Sequence, residues 1–282
     1  MLARTKNEVM SASLLGSMRD SSAGVRRLTS IAAVAAETVW VPHWVRGSYT
    51  TTTKPPHPIA FAFDIDGVLK QGPKVLPEAR RALRILHGEN RYRIKFPYIL
   101  VTNGGGPSEK DRAQKLTAEL QVDIQPEQVL QAHTVLQSLT RLYADEPVLV
   151  IGGSDRPAGT TRSVMREYGF NNVHTSHDLH AWAPASWPFA VVPEEQKVLI
   201  RRDIDYSKVK FKAIIVYHDS LDWGRDIQLM TDILRSKNGV FGTLVEDEEL
   251  RDRDQIPLYL SHNDFCECCM STRDTLKLCG RV

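Results

Sequence analysis

Five apolar residues, Ile59-Ala60-Phe61-Ala62-Phe63, run without a break into Asp64-Ile65-Asp66-Gly67. A short continuous apolar run of this kind predicts a strand buried on both faces of a parallel sheet. Carboxylates just past such a strand stand where open α/β sheets place their ligands. Strand alternation puts Asp64 and Asp66 on the same side, within reach of one metal ion and one substrate. One carboxylate can then attack an electrophile while the other moves a proton. Gly67 lets the chain turn away sharply. Read alone, a D-x-D-G sequence is equally an acidic loop capping the next helix.

A second segment bears on that choice. After a helical pattern around Pro77 to His87, Pro97-Tyr98-Ile99-Leu100-Val101 reads as another strand, ending at Thr102-Asn103-Gly104-Gly105-Gly106. Pro107-Ser108-Glu109 then opens a helical pattern that lasts through Leu120. A strand, a hydroxyl, glycines and a helix start together make a phosphate cradle of side-chain and backbone donors, with Thr102, Asn103 and Gly104 as its candidate residues. A P-loop is excluded, because no Gly-Lys-Ser/Thr comes after the glycines. Glycine-rich turns after strands are often only turns. Two loops of complementary chemistry on successive strands argue for more.

Composition removes several other classes. Hydrophobic residues at 42% and charged residues at 25% are ordinary globular values, against wholesale disorder. A net charge of +2 in 282 residues gives no basis for nucleic-acid binding. No apolar run is long enough to predict a membrane-spanning helix. All four cysteines, Cys266, Cys268, Cys269 and Cys279, lie near the C-terminus, so no disulfide framework staples the rest. Their C-x-C-C spacing is not the usual zinc pair, and either a zinc site or an unstructured tail fits it.

The first 53 residues differ in composition from the remainder of the chain. Arg4, Lys6, Arg19, Arg26, Arg27 and Arg46 face only Glu8, Asp20 and Glu37, and serine and threonine are frequent. This composition predicts a mitochondrial transit peptide directing the chain to the matrix, with an unfolded tail as the alternative. Arg26 to Val39 reads as a helix that gathers Val25, Leu28, Ile31 and Ala32 on one side. Lys54-Pro55-Pro56-His57-Pro58 reads as a stiff linker.

The segments Phe63-Asp64-Ile65-Asp66-Gly67-Val68-Leu69 and Val101-Thr102-Asn103 resemble motifs I and II of the haloacid dehalogenase (HAD) superfamily. The resemblance implies that Asp64 is a nucleophile forming an aspartyl-phosphate and that Asp66 is the general acid/base. Thr102 would hold the phosphoryl group. Mg²⁺ would bind the Asp64 carboxylate and the Asp66 backbone carbonyl. Further on, Val148 to Ile151, Val173 to Thr175 and Ala213 to Tyr217 read as strands, and a helix opens at Asp222 and runs to about Ser236. This alternation is similar to the α/β cap of HAD subclass IIA. Tyr168-Gly169-Phe170, Trp187-Pro188-Phe189 and Asp222-Trp223-Gly224-Arg225-Asp226-Ile227-Gln228 resemble the haloacid dehalogenase-like hydrolase domain-containing 5 group, also called the cat eye syndrome critical region 5 group. The resemblance spans about residues 58 to 265.

The expected architecture is therefore α/β: a HAD-like Rossmannoid parallel sheet, incomplete, with an α/β cap inserted after motif II. Residues 1–56 would be the transit peptide and linker, 57–146 the N-terminal part of the core, 147–265 the cap and 266–282 a cysteine-containing tail. Trp182, Trp187 and Trp223 read as cap core. His174, His177 and His180 read as polar loop histidines rather than a metal site. Glu246-Asp247-Glu248-Glu249 reads as a solvated loop.

The family also uses a lysine in a Gly-Lys-Pro context and a strand ending in Gly-Asp followed by another Asp. Leu258-Tyr259-Leu260-Ser261-His262-Asn263-Asp264 resembles the family segment near the cap's end, but the two later motifs are not found between Phe265 and Val282; Lys277 and Asp274 lack their contexts. The expectation is a Mg²⁺-dependent phosphatase-like site on a phosphorylated small molecule, weak in metal and poor in turnover, or alternatively a pseudo-hydrolase that only binds. Some relatives are associated with glycerophospholipid synthesis. A missing strand beside Ile59 to Phe63 would leave that strand as an open apolar edge.

Overall fold

A computed structural model of the chain describes residues 59–153, 161–190, 192, 194–246 and 255–262. The proposed leader, the proline linker, most of the acidic run after Glu246, Asn263, Asp264 and all four cysteines lie outside the described residues.

The apolar run becomes β1 (Phe61–Asp64), and the chain then makes a small antiparallel hairpin, β2 (Lys70–Gln71) and β3 (Lys74–Val75). Pro77 starts α1 (Pro77–Leu86), suiting a residue with a preset φ and no N–H to donate. The second apolar run is β4 (Tyr98–Thr102), followed by α2 (Glu109–Leu120) and β5 (Val129–Gln131). Strands β1, β4 and β5 form a parallel sheet in the order β1-β4-β5, with Asp64 level with Val101 and Thr102 level with Gln131. Leu83, Leu100, Leu116 and Leu120 meet in its core, and each is fully buried.

β1 departs from the sequence expectation. It starts two residues later than the apolar run, and it is not buried on both faces: Ile59 is 54% and Phe61 37% exposed. Among the described residues β1 has one strand neighbour, β4, so its other edge and much of its surface lack cover. The exposed Phe61 stacks on the partly buried Phe63, their ring centroids lying 6.1 Å apart.

A second parallel sheet comes next in the chain. It contains β6 (Val148–Ile151), α3 (Thr161–Glu167), β7 (Val173–Thr175), α4 (Ser176–Trp182), β8 (Ala213–Val216), α5 (Trp223–Leu234) and β9 (Leu258–Leu260), with strand order β7-β6-β8-β9. β6 and β8 are the central strands and are buried along their whole length, as their unbroken apolar sequences require. One core face holds Val148, Val150, Phe170 and Ile215, and the other Leu149, Ile151, Ile214 and Leu229.

The stretch Asp222 to Gln228 works with Trp187 as one packing unit. Asp222 caps α5 by accepting the Arg225 backbone N–H, satisfying one of the helix's unpaired donors. A Cβ on Gly224 would stand 2.6 Å from Cζ2 of Trp187, so glycine lets the indole lie against the helix. Arg225 and Asp226 are buried and paired at 2.8 Å, with Ser220 Oγ donating to the second Asp226 oxygen. A buried ion pair needs such extra hydrogen bonds to offset its desolvation.

Candidate active site

β1 and β4 run parallel, so their carboxyl ends, and the loops that leave them, come together. Ile65 is buried while Asp64 and Asp66 are exposed on either side of it, as strand alternation predicts for carboxylates on one face. Gly67 turns the chain at φ +89°, a conformation costly for other residues, and its N–H is bonded to the Lys70 carbonyl.

Thr102, nearly fully buried at the end of β4, ties the two loops together. Its hydroxyl donates to Asp66 Oδ2 at 3.1 Å and accepts the Gly104 N–H at 3.0 Å. Three of the predicted residues thus form one hydrogen-bonded set, and Asp64 lies one strand position from it, beside Val101. Asn103 is exposed; its backbone carbonyl accepts a hydrogen bond from His218 Nε2 at 3.2 Å. Ser108 caps α2 by accepting the Asp111 N–H, directing the helix N-terminus toward the end of the glycine loop.

Arg112 is a further residue of this site, outside the two motifs. Its Nε donates to Gln131 Oε1 at 3.0 Å and its Nη2 to the Gly105 carbonyl at 3.4 Å. A Cβ on Gly104 would be 3.2 Å from Thr102 Oγ1, 3.5 Å from Asp66 Oδ2 and 3.6 Å from Arg112 Nη2. The carboxylate, hydroxyl and guanidinium therefore converge on one glycine. Burial lowers the Arg112 pKa and the Asp66 charge opposes that shift, so the guanidinium keeps its cation beside the acid. One sequence signal for it exists: position 112 is four residues past the Ser108 cap, on the turn that faces back toward the loop.

The glycine loop is also held from the second sheet. Tyr217, at the end of β8, donates its buried hydroxyl to the Gly106 carbonyl at 3.1 Å, and its ring stacks on His133 at a centroid distance of 4.3 Å. His133 Nδ1 is 2.7 Å from the Tyr168 hydroxyl, which in turn donates to Glu109 at the start of α2. Burial pushes the His133 pKa down to about 3, so the ring is neutral and Nδ1–H donates to Tyr168. Burial and the Glu109 charge push the Tyr168 hydroxyl pKa up.

The donors that Asp64 and Asp66 offer are oxygens, a carboxylate and a backbone carbonyl on an exposed strand end. Such a set suits a hard divalent cation of the Mg²⁺ type. The histidines of the second sheet divide differently. His174 is core: Nδ1 meets the Tyr206 hydroxyl at 3.2 Å and Nε2 the Asn172 side chain at 2.8 Å, and burial holds its pKa down near 4. His180 Nε2 donates to the Trp187 carbonyl at 3.0 Å. Trp182 packs edge-on against Tyr206 and Phe241 at the margin of the core, 41% exposed. His174, His177 and His180 do not form a metal cluster among the described residues; His218, Asp219 and His262 do come together.

Residues 61–171 match the family model described as haloacid dehalogenase-like hydrolase. A mitochondrial hydrolase of Saccharomyces cerevisiae is 38% identical over 218 residues, which is 77% of this chain and 57% of that protein. A Schizosaccharomyces pombe protein described as a cardiolipin synthase (CMP-forming) and mitochondrial hydrolase fusion is 37% identical over 201 residues, 70% of this chain and 32% of that protein. The chain thus spans between about a third and just over half the length of these relatives. Among solved structures, a 4-nitrophenylphosphatase of Thermotoga maritima is similar at 14% identity and a TM-score of 0.43, covering 75% of this chain and 57% of that one. No helix among the described residues is long and apolar enough to cross a membrane.

Proposed function

The chain belongs to the haloacid dehalogenase-like hydrolases, and on that premise we propose that its Asp64, Asp66 and Thr102 form a phosphoryl-transfer site for a phosphorylated small molecule. The observation that carries this reading is the shared hydrogen-bonded set: Thr102 hydroxyl to Asp66 carboxylate and Gly104 N–H to Thr102, at the end of the strand that neighbours Asp64.

Each residue has a role that its place supports. A carboxylate oxygen of Asp64 attacks phosphorus, the bond to the leaving oxygen breaks, and an aspartyl-phosphate forms. Asp66 gives its proton to the leaving oxygen and then takes one from the water that hydrolyses the acyl phosphate. The Thr102 hydroxyl, held by the Gly104 N–H, orients Asp66, and the Asn103 side-chain amide supplies a donor for a phosphoryl oxygen. Arg112 adds positive charge where negative charge accumulates. The Asp64 carboxylate and the Asp66 carbonyl would hold Mg²⁺, which when bound offsets the repulsion between carboxylate and phosphate.

The 282-residue sequence supplies Arg112 to this site but neither the Gly-Lys-Pro lysine nor the paired later carboxylates of the family. The proposed cap, residues 147–265, is the part of the chain assigned to choosing the ligand. A mitochondrial location is inferred from the composition of residues 1–53 and accords with the names of the yeast relatives, and the matrix is the compartment that such a leader addresses. The name of the fission-yeast fusion also gives a reason to try glycerophospholipid intermediates first as ligands.

Hydrolysis of 4-nitrophenyl phosphate in excess Mg²⁺ tests the phosphoryl-transfer reading. The expected result is a Mg²⁺-dependent rate that Asp64→Asn abolishes. A rate that is the same in the folded Asp64→Asn variant would overturn it.

A further inference from the structure

We propose that His218, Asp219 and His262 form a site for one divalent transition-metal cation of the zinc class, built from residues other than the Asp64/Asp66 pair. One ligand atom from each of the three side chains lies within 4.8 Å of the other two, and all three residues are partly exposed, so a cation reaches them from solvent. Around a tetrahedral metal with bonds of about 2.0–2.2 Å, ligand atoms stand roughly 3.3–3.6 Å apart, so side-chain rotation must bring these atoms together by up to about 1.5 Å.

The positions of these residues are set by the backbone. His218 and Asp219 leave the end of β8, and the Gly152-Gly153 turn after β6 closes directly on them. Gly153 N–H donates to the Asp219 carbonyl at 3.1 Å. A Cβ on Gly152 would stand only 1.9 Å from the His218 carbonyl oxygen, and both glycines have positive φ, +73° and +93°. No other residue permits that approach without displacing the His218–Asp219 backbone. His262 is brought in from the neighbouring strand. Ser261 N–H donates to the Val216 carbonyl at 3.0 Å, and Ser261 Oγ to the Tyr217 carbonyl at 2.7 Å. The clasp leaves the two imidazoles 5.1 Å apart, centroid to centroid.

The protonation pattern also fits. A backbone carbonyl can only accept, so His218 Nε2–H donates to the Asn103 carbonyl and the ring's other nitrogen carries the lone pair. Donation of the second ring N–H to a backbone carbonyl is the usual way a metal-binding histidine is oriented and made more basic. Two imidazoles and one carboxylate form a borderline donor set, which favours zinc-like cations over Mg²⁺ or Ca²⁺. Three protein ligands leave a fourth position open. Because the Asn103 carbonyl belongs to the glycine loop of the first sheet, a metal here braces that loop against β8.

The test is metal binding by the purified 282-residue chain, with Co²⁺ as the optical probe and Zn²⁺ displacing it. It is independent of turnover, so its failure leaves the phosphoryl site untouched. The expected result is one equivalent per chain, with visible d–d bands and without the strong near-ultraviolet charge transfer of thiolate ligands. Binding should weaken by about tenfold or more in both His262→Ala and Asp219→Asn. It should persist in Asp64→Asn and in a variant with Cys266, Cys268, Cys269 and Cys279 all replaced by serine. Circular dichroism of each variant checks that the fold is kept. Stoichiometric binding retained in both folded His262→Ala and Asp219→Asn, binding lost with the cysteines, or no stoichiometric binding at all would overturn the proposal.

Discussion

Arg112 stands one helical turn inside α2, its guanidinium held by Gln131 and the Gly105 carbonyl and turned toward the glycine that also faces Thr102 and Asp66. Its fork is fixed by these bonds, so a ligand meets a charge that needs no reorganisation. Replacing it with methionine keeps the length and apolar stem but removes the charge. We expect Arg112→Met to weaken Mg²⁺-dependent binding of vanadate by about tenfold, in line with about 1.4 kcal/mol for one charge-assisted contact. Calorimetric titration of the two proteins checks this, and an unchanged affinity would remove Arg112 from the site. The motif residues are legible in the sequence because their side chains sit within two positions of a strand end, where spacing dictates orientation. Arg112 is harder to find, because its one signal is a place four residues past the Ser108 cap, and charged residues in a helix of mixed charges are usually solvated. His218 and His262 are 44 positions apart and meet only because β8 and β9 pair.

Among the elements, β6 and β8 are readable from sequence because a central parallel strand is apolar at every position, and both are fully buried. The same pattern misleads at β1. There the apolar run has one strand neighbour among the described residues, and Phe61 and Val101 are each more than a third exposed. Pattern reports what a residue could bury, while burial depends on what the rest of the chain supplies. β5 and the β2–β3 hairpin are two or three residues long, too short to carry a period, and leave no mark in the sequence for that reason. An exposed aromatic on an open edge favours pairing with another chain. We expect Phe61→Lys to lower concentration-dependent aggregation in light scattering while changing stability little. Equal or greater aggregation in the variant would show that this edge is covered in solution.

Across the whole molecule, the two sheets are joined through the glycine loop and α2 by Tyr217, His133, Tyr168 and Glu109, around a ring that burial keeps neutral. His133 and His174 have folded pKa values lowered to about 3 and about 4, below the ordinary value of 6.5. The unfolded chain therefore binds protons that the folded chain refuses. The stability linked to these rings is complete above about pH 6.5 and is lost as the pH falls toward 4 and then 3. For a fully buried ring such as His133 the loss is on the order of a few kcal/mol. Urea midpoints should fall steadily from pH 6.5 to 4, with a shallower slope in His133→Gln, which keeps a neutral donor. An unchanged slope would mean that the ring is not held neutral at the seam. Fluorine NMR of beryllofluoride binding tests most directly the proposed role of Asp64 as the nucleophile that receives a phosphoryl group. A bound resonance is expected that appears only with Mg²⁺ and is missing in Asp64→Asn. No bound resonance at saturating Mg²⁺, or one that survives in Asp64→Asn, would contradict it.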